Sequence, residues 1–62
     1  MSNEETLEQL RRLKNTVMGA SNRLRLLARE FPADEAHSLQ ESAAVLADAA
    51  QNLDRLLARI RR

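Results

Sequence analysis

The side chains able to do chemistry are few and scattered. The chain has one histidine, His37, and no cysteine. Thiolate metal sites are therefore excluded, and a site on His37 would need carboxylate co-ligands at unusual spacing. His37 falls in the first turn of a helical segment, opposite Leu46 on the wheel, which predicts a surface histidine. No serine stands in a nucleophile's setting. Carboxylates cluster at Glu4-Glu5-Glu8 and at Asp34-Glu35, but acid–base catalysis needs a pocket to tune their pKa values. These acids sit where helices begin, at the positive end of the helix dipole. The expectation is a protein that is not an enzyme, with no catalytic residue, cofactor, metal or small-molecule substrate.

The basic residues allow a different chemistry. Arg11, Arg12 and Lys14, continued by Arg23 and Arg25, make much of the first helix basic, as a phosphate-binding surface would be. The alternative is a solvated face on which Glu8 pairs with Arg11 or Arg12 at helical spacing. No aromatic is available on that face for base stacking, which favours the second reading. Arg55, Arg59, Arg61 and Arg62 end the chain, where positive charge suits the negative pole of a helix.

Two helices must position these groups. Ser2 followed by Glu5 fits a capping box. The apolar series Leu10, Leu13, Val17, Ala20, Leu24, Leu27, Phe31 then steps by three and four without a break, as one face of an α-helix does. Phe31-Pro32 stops it, because proline lacks the N–H and disfavours helical geometry in the residue before it. Asp34 or a near neighbour caps the second helix. Its series is Ala36, Leu39, Ala43, Leu46, Ala50, Leu53, Leu57, Ile60. The spacing predicts one domain over 1–62, all-α: a helix over about 3–30, a turn at about 31–34, and a helix over about 34–61. So short a turn makes the pair antiparallel.

Sixty-two residues are too few for one hydrophobic core to be comfortable. Without disulfides or metals, oligomerisation is the remedy left. In the second helix Ala36, Ala43, Ala50 and Leu57 alternate with Leu39, Leu46, Leu53 and Ile60, so small and large residues form layers. Val45, Ala49 and Leu56 widen the apolar arc on one side, and Ala47 and Ala58 on the other. One neighbouring helix cannot cover that arc. The simplest expected solution is a homodimer closing into a four-helix bundle, with those eight seam residues as its core; a higher oligomer, the hairpin serving as a structural assembly subunit, is the alternative. Off the main stripe of the first helix, Leu7, Met18 and Leu26 remain as candidate anchors for another protein.

The chain resembles the Rop family, plasmid proteins whose helical hairpins dimerise into four-helix bundles with small–large core layers. The likeness runs over nearly the whole length, with local echoes in Ala33-Asp34-Glu35 at the turn, Glu41-Ser42, Ala47-Asp48 and Leu57-Ala58-Arg59. The resemblance implies RNA binding on the first helices of a dimer, through polar and basic residues around one exposed aromatic. Arg12 falls on one of those positions. Thr16 stands at the aromatic one, and Ala20 and Leu27 fall on two others yet belong to the apolar stripe. The family's RNA-binding face is not reproduced.

The expected function is that of a small regulatory or adaptor protein binding another macromolecule, a protein first, through the helix faces of the dimer. RNA on the basic face is the alternative partner. No apolar run approaches a membrane span, and the polar, acidic N-terminus is unlike a secretory signal. A cytoplasmic location is expected.

Overall fold

The computed structural model describes residues 3–60. Ser2, Arg61 and Arg62, assigned above to a capping box and to the C-terminal charge cluster, lie outside the described residues. Helix α1 spans Asn3–Ala28 and helix α2 spans Ala33–Ile60, and the two pack as a hairpin. Among the described residues there is no strand. The molecule is a rod of 46 × 16 × 13 Å.

The break between the helices follows from Pro32. In a continuing helix the Ala28 carbonyl would accept the N–H of residue 32, which proline lacks. Phe31 N–H takes that carbonyl instead, at 3.2 Å, while Arg29 and Glu30 donate to Leu26 and Leu27. These tighter bonds, three residues apart, wind α1 down. The Pro32 carbonyl then accepts the first bond of α2, from Ala36 N–H at 2.8 Å. Helix α2 therefore opens at Ala33, one residue earlier than the sequence predicts, and Asp34 and Glu35 lie inside its first turn. There they still face the positive dipole end. The turn needs no left-handed backbone, since no positive φ occurs among the described residues.

The seam between the helices is made of small residues. Ser21, Ala28, Ala43 and Ala50 are buried, and Leu57 is the one large side chain that joins them among the described residues. The Ser21 hydroxyl donates to the Ala43 carbonyl at 2.7 Å. A side chain as short as serine's reaches the opposite backbone only where the helices run close together. That bond also sets the register: residues whose numbers sum to 64 lie level. Ala28 then falls level with Ala36, Lys14 with Ala50, and Leu7 with Leu57.

This seam corrects the stripe read from the sequence of α1. Leu10, Val17 and Leu24 are half-buried as expected, but Ala20 is exposed. Leu13, Leu27 and Phe31 are also exposed, at 56%, 53% and 49%. The residues that face α2 are Leu7, Lys14, Ser21 and Ala28, one position further along. Close approach selects small side chains, so the row of large ones is turned aside. In α2 the row assigned to a dimer core divides within the single hairpin. Ala43, Ala50 and Leu57 are buried, Ala36, Leu39, Leu46 and Leu53 are half-buried, and Ile60 is exposed.

Candidate interaction surface

The hairpin has two unlike sides. In an antiparallel pair, residues three positions after the seam positions fall on the same side of both helices, and residues one or four positions after fall on the other. On the first side lie Leu10, Val17 and Leu24 of α1 and Leu39, Leu46 and Leu53 of α2. Beyond them, Leu13, Ala20 and Leu27 extend the α1 edge, and Ala49 and Leu56 extend the α2 edge. The result is one continuous apolar face along the rod, with Phe31 at its turn end. In the described hairpin nothing covers this face, and its leucines are half-buried or exposed.

The second side is polar. Glu8 accepts from Arg11 at 2.7 Å and lies 3.6 Å from Arg12, the helical pairing expected from spacing. Lys14 occupies a seam position, but its ammonium reaches out to Asp54 at 3.2 Å. With Asp54 mostly solvated, the pair is worth less than ~1 kcal/mol of stability. Its physical effect is to carry the Lys14 charge out of the seam while the lysine stem packs against Ala50.

Two open clefts flank the seam. The larger, about 440 Å³, lies at the open end between Glu4, Leu7, Glu8, Arg11 and Ile60. The smaller, about 210 Å³, lies on the polar side beside the Lys14–Asp54 pair and is bounded by Asn15, Met18, Ala50 and Gln51. His37 is exposed and lies 3.6 Å from Glu41, one turn on. No group of three metal-ligating side chains forms among the described residues.

The candidate partner residues do not form one patch. Leu7 is half-buried at the seam, opposite Leu57. Met18 borders the smaller cleft, and Leu26 points outward at 57% exposure. The basic candidates are also divided. Arg11 and Arg12 are held by Glu8, and Lys14 is turned to Asp54. By helical spacing Arg23 and Arg25 project about 160° apart, and neither forms an ion pair among the described residues. Sequence reasoning missed Ser21 and Lys14 as seam residues, because a hydroxyl and an ammonium do not register in an apolar pattern. The available signal was spacing: Ser21 and Ala28 repeat at seven residues, as Ala43 and Ala50 do.

No helix among the described residues is long and apolar enough to cross a membrane. Comparison with protein-family models, with curated proteins and with solved structures finds no match for this chain.

Proposed function

We propose that this is a small non-enzymatic regulatory or adaptor protein, a homodimer of helical hairpins that binds another protein through its helix faces. The observation that carries the reading is the bare apolar face. A chain of 7.0 kDa folded compactly exposes about 4,000 Å², whereas this hairpin exposes 4998 Å². The excess, about 1,000 Å² per chain, compares with the roughly 800 Å² per partner of a standard interface. The radius of gyration, 14.4 Å, likewise exceeds the about 10.6 Å of a compact chain of this length.

With the apolar face closed by dimerisation, the outer surfaces that remain carry Met18, Leu26 and the arginines. A protein partner anchors on Met18 and Leu26, because interfaces concentrate their energy in a few desolvated side chains. RNA is the second reading, and it rests on Arg11, Arg12, Lys14, Arg23 and Arg25 with the Rop-like resemblance. The one aromatic, Phe31, lies at the turn end of the apolar face and away from those five side chains, so the basic residues have no base-stacking platform beside them, which favours the protein.

The test is made on the partner recovered with tagged protein from its native cell, with and without nuclease. Retention after nuclease, with affinity lost in Met18→Ser and Leu26→Ser, supports the protein reading. Loss on nuclease treatment, affinity falling steeply with salt, and abolition by Arg11→Glu and Arg23→Glu would replace it with RNA binding.

A further inference from the structure

We propose that further copies of the chain join side by side, the outer face of α1 on one hairpin against the outer face of α2 on the next. This contact goes beyond the regulatory reading above, and it does not depend on the apolar face or on what covers that face. It rests on two exposed apolar side chains and on the charges set around each.

The charges are segregated along the chain. Residues 9–29 hold six lysines and arginines and no acid, and residues 30–54 hold six acids and no lysine or arginine. Helix α1 is thus basic beyond its first turns, and α2 is acidic until its last turns. Contact across the seam uses little of this separation. Lys14 with Asp54 is the one ion pair between the helices among the described residues. Arg23, Arg29 and Asp48 take part in no ion pair there. Glu41 meets His37, at 3.6 Å, on its own helix.

Two apolar side chains stand among these unused charges. Leu26 on α1 is 57% exposed and Val45 on α2 is 67% exposed. They project about 140° and about 200° round from the seam residues Ser21 and Ala43. Each therefore looks away from the opposite helix and lies outside the apolar face. They occupy opposite flanks of the rod, so they cannot meet within one hairpin. Arg23 and Arg29 stand three positions to either side of Leu26. Glu41 stands four positions before Val45, and Asp48 three after it. All four charged residues are exposed.

A single exposed leucine or valine needs no explanation. Here each is centred between like charges, and the two sets are opposite in sign. An apolar centre with a charged rim is the anatomy of an interface, and a basic rim facing an acidic one sets register and excludes wrong partners. The occupant is a second copy because this chain carries both halves of the contact. The two surfaces are unlike, so the contact is heterologous. A copy engaged through α1 keeps its α2 free for the next, and association continues as an open row. Exposed ion pairs are each weak and are screened by salt. The row therefore forms at low ionic strength and comes apart as salt rises. Leu26 is also an anchor for the protein partner proposed above, so the row and that partner exclude each other.

The experiment is sedimentation of the intact protein at about 0.01 M and about 1 M salt, between which the screening length falls from about 30 Å to about 3 Å. At equal concentration the parent is expected to reach several times its high-salt mass in low salt. Glu41→Lys with Asp48→Lys makes both outer faces basic, and Arg23→Glu with Arg29→Glu makes both acidic. Each double variant alone is expected to keep its high-salt mass in low salt, and an equal mixture of the two is expected to regain the growth. Val45→Ser leaves the net charge unchanged and is expected to weaken the association about tenfold, the effect of losing a partly buried valine. Every substituted residue is exposed, and a far-ultraviolet circular dichroism spectrum like the parent's shows that each variant folds. A parent with the same mass at both salt concentrations would overturn the proposal. So would growth in either double variant alone, or association of Val45→Ser equal to the parent's. These results leave the regulatory reading standing, because that reading is tested on the partner recovered from the cell.

Discussion

Ser21 offers the sharpest test of how the two helices meet. It is fully buried, and its hydroxyl donates to the Ala43 carbonyl at 2.7 Å. Ser21→Ala removes the hydroxyl but strands no polar group, because the Ala43 carbonyl also serves the ladder of its own helix. The cost is then the net worth of one hydrogen bond, about 0.5–1.5 kcal/mol. Ser21→Leu removes the same bond and adds three carbons at a level where Ala43 has no exposed surface. Overpacking of this kind costs about 1–3 kcal/mol, so with the lost hydrogen bond the total is about 1.5–4.5 kcal/mol. Asn22→Leu, one position along on the exposed polar side, is the control and is expected within about 0.5 kcal/mol of the parent. The assay is urea denaturation at one protein concentration, followed by far-ultraviolet circular dichroism. The order expected is parent and Asn22→Leu together, then Ser21→Ala, then Ser21→Leu well below. A Ser21→Leu protein as stable as the parent would refute the close seam and return the hairpin contact to the Leu13–Ala20–Leu27 row.

Three further substitutions probe the α1 backbone, the apolar face and the Lys14–Asp54 pair. Gly19 lies within α1, and a Cβ built on it meets nothing within 4 Å, so Gly19→Ala is expected to stabilise by about 0.5–1 kcal/mol in thermal melts. A loss of stability there would mean that another chain approaches the Gly19 backbone. Leu46 is half-buried in the hairpin, and under the proposed dimer Leu46→Ala is expected to cost about 2–5 kcal/mol, as for a fully buried leucine. A cost under about 1 kcal/mol would mean that the apolar face stays bare. Lys14→Met keeps the stem against Ala50 and gives up only the solvated pair with Asp54, so equilibrium unfolding is expected to change by less than about 1 kcal/mol. A larger loss would show the ion pair to be more than a means of steering the charge outward.

Much of this fold is legible in the sequence, and the reasons are specific. The two helices and the break at Pro32 follow from periodicity and from the missing N–H. The α2 seam is legible because its buried residues, Ala43, Ala50 and Leu57, are apolar and recur at seven. The α1 seam is less so. Its apolar arc is wide, and a hydrophobic pattern finds the centre of the arc at Leu13, Ala20 and Leu27. The contact with α2 lies at the edge of that arc, where Ser21 and Ala28 permit close approach and Lys14 escapes by its length. A helix that touches one neighbour shows its contact in its pattern. A helix with surface for two neighbours shows only their sum, and the division between them appears when one contact is in place. The same limit applies to the candidate partner surface. Leu7, Met18 and Leu26 share the property of lying off the stripe, but the seam takes up Leu7 and leaves the other two on separate faces.

Under the proposed dimer, a second copy of the chain covers the apolar face of Leu10, Leu13, Leu24, Leu27, Leu39, Leu46 and Leu53. Thermal unfolding over a hundredfold dilution tests it most directly, read by circular dichroism with the mass in solution determined at both ends of the range. When folding and association are linked, the melting temperature rises with protein concentration. A falling melting temperature on dilution and a dimer's mass at the concentrated end are expected. A constant melting temperature with a monomer's mass throughout would contradict it.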